Sequence, residues 1–290
     1  MGLSMSNNET EFRYLIKNRY LSAVKEIPIT KEDYELFKRS RRVLSAALAI
    51  EELFDILFEN YREAERTFRS CSELYIGFED FTYYSCYEIM RAANVKFINF
   101  IAAARFYVDN LKANFNELDE VVYGRVKKKA SELYDGSIEY RIIDQLRNYA
   151  LHAGAVVHGI TGSFVAPKHK DTELATFYAS KAIILERSNR IKSAVLAELP
   201  ERIDLAESMH VSMSKYKELH ACVREEIASV VDTARKHFED TIRYAESELG
   251  EKTGLAACVY SNCEELEFTQ IFLEWDDVRV RMAEGNKVCV

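Results

Sequence analysis

The stretch Gly136-Ser-Ile-Glu-Tyr-Arg-Ile-Ile-Asp-Gln-Leu-Arg-Asn-Tyr-Ala-Leu-His-Ala-Gly154 carries the signals of a single helix. Ser137 is a typical residue for the start of a helix, because its hydroxyl can accept a hydrogen bond from a free backbone N–H of the first turn. Gly154 suits the position just past a helix, where the backbone often adopts a left-handed conformation. The sequence therefore predicts a helix between these two residues.

The predicted helix has one polar and one apolar face. With angles counted from Asp144 at about 100° per residue, Asn148 lies at about 40° and His152 at about 80°. Because they are one turn apart, the Asn148 amide can orient the His152 imidazole. Arg147 lies at about 300° and can meet His152 at one ligand only through its long side chain or through a second copy of the helix. The opposite, apolar side carries Ile142, Leu146, Tyr149 and Ala153.

Arginine, histidine and an amide on one helix face suit chemistry on a phosphodiester. An imidazole can accept the proton of a ribose 2′-OH or protonate the leaving oxygen. A guanidinium can hold the phosphate and stabilise charge on its oxygens. Such a reaction requires no metal when the 2′-OH of RNA is the nucleophile. The alternative is an ordinary solvent-facing stripe, as on any surface helix.

The rest of the chain favours an all-α fold. The 290 residues include only 10 Gly and 3 Pro, so long stretches lack strong helix breakers. Apolar residues at spacings of three and four predict helices over about 31–69, 81–116 and 119–134, with a break around 70–77. Thr30 with Asp33, and Asp204 with Glu207, resemble helix N-caps, and the second pair predicts a long helix ending at Gly250.

Other segments give weaker patterns. We predict short helices over about 11–25 and from Asn189 to about 199, and a short strand over 181–186. Near the C-terminus, 268–275 and 278–282 favour strands. The predicted segments are an N-terminal part (1–30), a helical bundle (31–170), a helical extension packed on the bundle (171–254) and an acidic tail (255–290). The sequence leaves open whether the tail forms a separate β element.

Composition limits the class of function. The formal net charge of -8 argues against a protein that coats nucleic acid through a general positive field, although a local basic cleft is compatible with it. The 6 Cys form no Cys-x-x-Cys pair, so reduced thiols in the cytoplasm are expected. The sequence shows neither a signal segment nor an apolar run of membrane-spanning length, so no membrane association is expected.

Residues 142–154 resemble the signature helix of the HEPN (higher eukaryotes and prokaryotes nucleotide-binding) superfamily. The family motif is Arg, a polar residue that is often Asn, three further residues and then His, and Arg147, Asn148 and His152 match it. The likeness extends to a helical bundle with the motif late in it, over about residues 31–155. The segment 199–205 and the helix after it are similar to the extension of some bacterial HEPN-like proteins.

The resemblance implies a metal-independent endoribonuclease without a cofactor, in which two motif helices of a homodimer form one composite cleft for RNA. His152 would be the general acid/base, Arg147 the phosphate and transition-state contact, and Asn148 an orienting or phosphate-binding amide. Asp144 would support Arg147 or His152. Such proteins are frequent in toxin–antitoxin and phage-defence systems, which implies an antitoxin or defence-system partner. Because many relatives lack activity, a non-catalytic helical module for RNA binding, protein interaction or dimerisation is the alternative.

Further residues are candidates for the same site. His158 could line the cleft, or it could be a loop histidine with a structural hydrogen bond. Two basic runs could contact RNA phosphates, or could be solvated helix faces. Their members are Lys38, Arg39, Arg41 and Arg42, and Arg125, Lys127, Lys128 and Lys129.

Overall fold

The computed structural model describes residues 12–20, 25–77, 82–116, 118, 120–162, 175–187, 193–262 and 264–286. The described residues are mostly helical, which confirms the prediction of a helical fold. The helices are α1 (Lys31–Gly77), α2 (Tyr83–Phe115), α3 (Glu120–Gly136), α4 (Ile138–His152), α5 (Lys181–Arg187), α6 (Ser193–Glu198), α7 (Leu205–Leu249) and α8 (Glu274–Gly285).

Short antiparallel strands accompany the helices, so the all-α class needs correction. The strands are β1 (Phe12–Asn18), β2 (Ile27–Pro28), β3 (Gly159–Thr161), β4 (Thr176–Ser180), β5 (Arg202–Asp204), β6 (Leu255–Ser261) and β7 (Glu264–Gln270). In the described ranges they form a sheet of order β2-β1-β6-β7 and a smaller sheet of order β3-β4-β5.

The two long helices begin at the predicted caps. The Asp33 N–H donates to Thr30 Oγ1 at 3.0 Å, and the Thr30 N–H donates to Asp33 Oδ2 at 2.9 Å, so each residue satisfies a donor of the other. At α7, Asp204 Oδ1 accepts from the Ala206 and Glu207 N–H groups at 2.9 and 3.0 Å. These local hydrogen bonds confirm both predicted helix starts.

The predicted break at 70–77 is wrong, because α1 continues to Gly77. Cys71 and Tyr75 stand one turn apart and are buried, with 5% and 8% of their surface exposed. Burial of this pair extends the apolar face of the helix by one turn. The cap proposed at Asn189 lies outside the described residues, and α6 covers Ser193–Glu198 of the predicted helix.

Three further predictions were wrong about the type of element. Residues 12–18 form strand β1, 181–187 form helix α5, and 274–285 form helix α8. Strand β1 pairs with β6 more than 230 residues later, with Leu15 opposite Cys258. In α8, Arg279 bonds to Asp276 one turn before it, at 2.6 Å, which supports a helix. The strand predicted over 268–275 is confirmed only for 268–270, in β7.

The chain forms two compact units that are discontinuous in sequence, whereas the predicted segments were consecutive. The first unit comprises the described residues of Met1–Ala49 and Ile227–Gly285. It contains the four-stranded sheet and α8, and Leu15, Ala256 and Cys258 form a buried cluster within the sheet.

The second unit comprises the described residues of Ile50–Glu226 and Asn286–Val290. Here α2 packs against α3 and α4. Its buried residues, including Phe97, Phe100 and Tyr107 at 0% exposure, place α2 in the core of this unit. Helix α4, which carries the predicted site, is held by this core. None of the helices in the described ranges has the length and apolar character needed to cross a membrane.

Candidate functional site

Helix α4 begins and ends at the predicted residues. The Ser137 hydroxyl accepts a hydrogen bond of 3.2 Å from the Tyr140 N–H. At the other end, the Ala153 N–H donates to the Tyr149 carbonyl at 2.8 Å, and Gly154 follows with φ +143°. Because both caps come from the local sequence, this helix was predictable without knowledge of its neighbours.

The apolar face of α4 is buried as predicted. Ile142, Leu146 and Tyr149 are exposed by only 4%, 1% and 0%. Tyr149 is therefore a core residue. The opposite face therefore points away from the core, which leaves Arg147 and Asn148 half-buried and His152 exposed.

The structure brings Arg147 and Asn148 together. Arg147 Nη1 donates to Asn148 Oδ1 at 3.2 Å. Among the described residues, His152 has no hydrogen bond to either of them, so the expected contact between Asn148 and His152 is not formed. The same part of the chain offers no carboxylate within ion-pair distance of Arg147. A neutral amide thus orients this guanidinium, and its positive charge stays available for an anion.

Asp144 contacts α2 instead of the two residues it was expected to support. Its Oδ1 lies 3.6 Å from Arg105 Nη1, and its Oδ2 accepts from Gln145 Nε2 at 3.2 Å. Arg105 Nε also donates to Asp109 at 2.7 Å. Asp144 and Asp109 therefore balance the charge of Arg105.

His158 occupies a structural position beside the small sheet. Its Nδ1 accepts from the Ser180 N–H at 2.9 Å, and its Nε2 lies 3.2 Å from the Tyr149 hydroxyl. This pattern assigns the proton of a neutral ring to Nε2, since Nδ1 is the acceptor. Burial lowers the pKa of His158, which favours the neutral form. These contacts match the loop histidine with a structural hydrogen bond and do not join it to Arg147 or His152.

Arg147 lines two neighbouring depressions in the second unit. The larger one, of about 430 Å³, lies between α2, α3 and α4 and is bounded also by Tyr216 of α7. The smaller one, of about 270 Å³, lies between α2 and α4 and is lined also by Phe106 and Leu151. Both of these apolar side chains are exposed, by 46% and 61%. His152 is not among the lining residues of either depression.

The first basic run lies in the first unit, whereas α4 lies in the second. Lys38 Nζ pairs with Glu267 at 2.9 Å. Arg41 Nη1 donates to the Gln270 carbonyl at 3.1 Å. Arg39 and Arg42 are exposed. Lys38 and Arg41 therefore bind β7 of their own unit, which agrees with a structural role for these two.

The second basic run is divided in its contacts. Arg125, Lys128 and Lys129 lie 2.6, 3.8 and 3.9 Å from carboxylate oxygens of Glu226, Glu132 and Glu218. Lys127 instead lines the larger depression together with Arg147. Of the residues in the two basic runs, Lys127 is therefore the one that lines a described depression together with Arg147.

Apart from Lys127, the residues that α2 and α3 contribute to this depression were not predicted from the sequence. They include Arg105, Asp109 and Lys112 from α2, and Tyr123, Tyr134 and Asp135 from α3. A signal was present, because Arg105, Asp109 and Lys112 recur at spacings of four and three and therefore lie on one face of α2.

In the described ranges, no three His, Cys, Asp or Glu side chains are grouped so that they could hold a metal ion. Comparisons of the chain with protein-family models, with curated proteins and with solved structures give no match.

Proposed function

We propose that this protein is a metal-independent endoribonuclease whose site is built from the polar face of α4 and a second copy of that face. The observation that carries the proposal is the joint placement of Arg147, Asn148 and an exposed His152 on this face. The likeness of residues 142–154 to the HEPN signature helix supports it. It also favours a toxin–antitoxin or phage-defence setting, with a corresponding protein partner.

In the proposed reaction, His152 accepts the proton of a ribose 2′-OH, and O2′ attacks the adjoining phosphorus. The bond from phosphorus to O5′ breaks, and an imidazolium protonates O5′. The products are a 2′,3′-cyclic phosphate and a 5′-hydroxyl end. Arg147 binds the non-bridging phosphate oxygens and stabilises the charge that develops on them. Asn148 holds the guanidinium through the 3.2 Å hydrogen bond.

A second copy of the helix would bring the separated groups to one phosphate. Arg147 and His152 stand about 140° apart around α4, as the geometry of an α-helix requires. Leu151 projects between them and is 61% exposed, and Phe106 of α2 is 46% exposed nearby in the smaller depression. Exposed apolar side chains around a polar site favour a protein contact. A two-fold axis beside Leu151 would place the same patch of both copies face to face.

The charge distribution supports an anionic substrate at this place. The chain has a formal net charge of -8, yet Arg147 and Lys127 line one depression without an ion-pair partner among the described residues. A cation without a carboxylate neighbour gains more from binding phosphate than one already paired.

The proposal is tested by incubating mixed RNAs with purified protein in EDTA. Wild type should generate 2′,3′-cyclic phosphate ends, whereas His152→Ala and Arg147→Ala should not. Lys128→Ala is a matched surface control, because this side chain is 81% exposed and lies 3.8 Å from Glu132 of its own helix. Undiminished cleavage by folded His152→Ala overturns the mechanism. Absence of cleavage by wild type contradicts the enzyme and leaves a non-catalytic RNA-binding or interaction module.

A further inference from the structure

The larger depression beside Arg147 has the size of a small-ligand site. Its volume of about 430 Å³ falls within the range of roughly 300–1,000 Å³ typical of ligand pockets. Its walls come from α2, α3, α4 and α7, all within the second unit. Arg147 belongs also to the smaller depression, so this residue stands where the two meet.

Positive charge predominates among the unpaired groups of this depression. In the described part of the chain, three cations of the lining have no ion-pair partner, namely Lys112, Lys127 and Arg147. The carboxylate of Asp135 also lines the depression without such a partner there. Arg105 lies 2.7 Å from Asp109 and 3.6 Å from Asp144, so these two carboxylates share one cation. In total, four cations and three carboxylates line this depression, so it has a small local excess of positive charge in a chain of net charge -8, and this excess favours anions.

Two tyrosine rings in the walls are held in place by other aromatic rings. The centroid of Tyr123 lies 5.5 Å from that of Phe115, and the centroid of Tyr134 lies 5.8 Å from that of Tyr140, edge to face. Tyr123 and Tyr134 remain partly accessible, whereas Phe115 and Tyr140 are buried. Supported rings of this kind provide stacking surfaces for nucleic-acid bases.

We infer that this depression is a nucleotide subsite that takes one unpaired nucleotide of a single-stranded RNA. The base contacts Tyr123 and Tyr134, Lys112 and Lys127 hold the adjoining phosphates, and the chain continues to Arg147. This inference rests on the proposed function, because the neighbouring phosphate at Arg147 is the one to be cleaved. It adds a substrate class: RNA with an accessible base next to the cleaved bond, rather than a fully paired duplex.

The physical reason for this selectivity is that a base in a duplex is stacked and paired, and only an unpaired base can enter such a depression. The position of Arg147 at its edge also favours a polynucleotide over a free nucleotide, since the second depression continues the path from the same guanidinium.

Binding is measured apart from cleavage with a fluorescent single-stranded 2′-O-methyl RNA, which lacks the nucleophilic hydroxyl. Lys127→Glu should weaken binding roughly 10-fold or more, whereas Lys128→Glu should change it far less. These neighbours on α3 undergo the same charge reversal, but only Lys127 lines the depression. Tyr123→Leu should weaken binding roughly 10-fold, and Tyr123→Phe should retain it, because stacking needs the ring and not the hydroxyl.

The outcomes separate the subsite from the proposed cleavage. Equal effects of Lys127→Glu and Lys128→Glu, equal competition by duplex RNA, or no binding by wild type would each overturn the subsite. Nucleoside monophosphates that compete as strongly as the oligomer would assign the depression to free nucleotides and overturn the RNA proposal. Selective binding without cleavage of ordinary RNA would support the nucleotide subsite and contradict the proposed nuclease activity. If all subsite variants cleave RNA as wild type does, the nucleotide subsite is contradicted and the proposed nuclease activity is supported.

Discussion

Arg147 Nη1 donates a hydrogen bond of 3.2 Å to Oδ1 of Asn148, so the guanidinium is oriented by an amide that carries no charge. A carboxylate in the same place would orient the group equally well but would neutralise it. The choice of amide thus keeps Arg147 both ordered and available to an anion.

Asn148→Asp should separate these two effects. The new carboxylate would retain the contact with Arg147 but compensate its charge, so we expect the initial rate of RNA cleavage to fall roughly 100-fold in a folded protein. Asn148→Ser, which keeps a neutral acceptor, serves as the control and should lose less activity. Equal cleavage rates for wild type and Asn148→Asp would contradict the proposed contact between Arg147 and the phosphate.

Leu151→Glu should dissociate the proposed dimer. A charge at a face that two copies share would be repeated by symmetry, so both association and cleavage should be lost together. Leu185→Glu is the matched control, because Leu185 is similarly exposed, at 51% against 61%, but lies on α5. Light scattering gives the oligomeric state, and a cleaving Leu151→Glu monomer would contradict the composite site.

A buried charge network stabilises the second unit. Glu51 accepts from Arg224 Nε at 2.8 Å and from Arg224 Nη2 at 2.6 Å, and it lies 3.2 Å from His220 Nε2. The Tyr107 hydroxyl lies 3.0 Å from His220 Nδ1. Burial raises the pKa of Glu51, but the hydrogen bonds from Arg224 and His220 outweigh it and lower the pKa to about 2. Burial lowers the pKa of His220.

This network predicts that stability falls with acidification in two ranges. His220 is neutral when folded and gains a proton more readily when unfolded, so stability declines as pH falls below about 6.5. The Glu51 contribution is present above pH 4.5 and is lost as pH falls from 4.5 towards about 2. Its size is on the order of 3 kcal/mol for a shift from 4.5 to about 2.

Urea unfolding across this pH range measures the effect. Glu51→Gln should destabilise the protein near neutral pH and lose most of the decline below pH 4.5. Glu52→Gln, at an exposed neighbouring position, should behave like wild type. The same pH slope in Glu51→Gln and wild type would show that other groups cause the decline.

Gly154→Ala should destabilise the protein through its backbone alone. At both Gly154 and Gly136 the space that a Cβ would occupy is open to 4 Å, but of these two only Gly154 has a positive φ, of +143°. We expect Gly154→Ala to lower the free energy of unfolding by about 1 kcal/mol or more. Gly136→Ala, without this strain, should be neutral or slightly stabilising. Denaturant midpoints of the two variants should therefore differ, and equal midpoints would contradict the assigned helix end.

The predictable parts of the fold were those with local signals. Ser137 and Gly154 bound α4, and Thr30 and Asp204 start the long helices, because each cap acts within one turn. Strand β1 was missed because its partner β6 is remote in sequence, and pairing of Leu15 with Cys258 leaves no local pattern. Helix α8 was missed because its alternating Val and Arg residues also suit a strand.

The candidate site was predictable only in part for the same reason. Arg147, Asn148 and His152 lie on the side of α4 opposite its buried residues, so this placement followed from helical periodicity. The bond between Arg147 and Asn148 depends on side-chain conformation, which periodicity does not specify. Lys112, Lys127 and Tyr123 meet only through packing of α2 and α3 beside α4, and their common depression therefore required the structure.

The proposed reaction at the α4 site begins with attack of a ribose 2′-OH on the adjoining phosphorus. It is tested most directly by replacing one nucleotide, at a mapped cleavage position, with its 2′-deoxy form and incubating the RNA with wild type and His152→Ala in EDTA. We predict that wild type loses cleavage only at that position and still leaves 2′,3′-cyclic phosphate ends at the remaining positions. His152→Ala should cleave at none of these positions. Unchanged cleavage after the 2′-deoxy nucleotide, or cleavage by folded His152→Ala at the wild-type rate, would contradict this reaction.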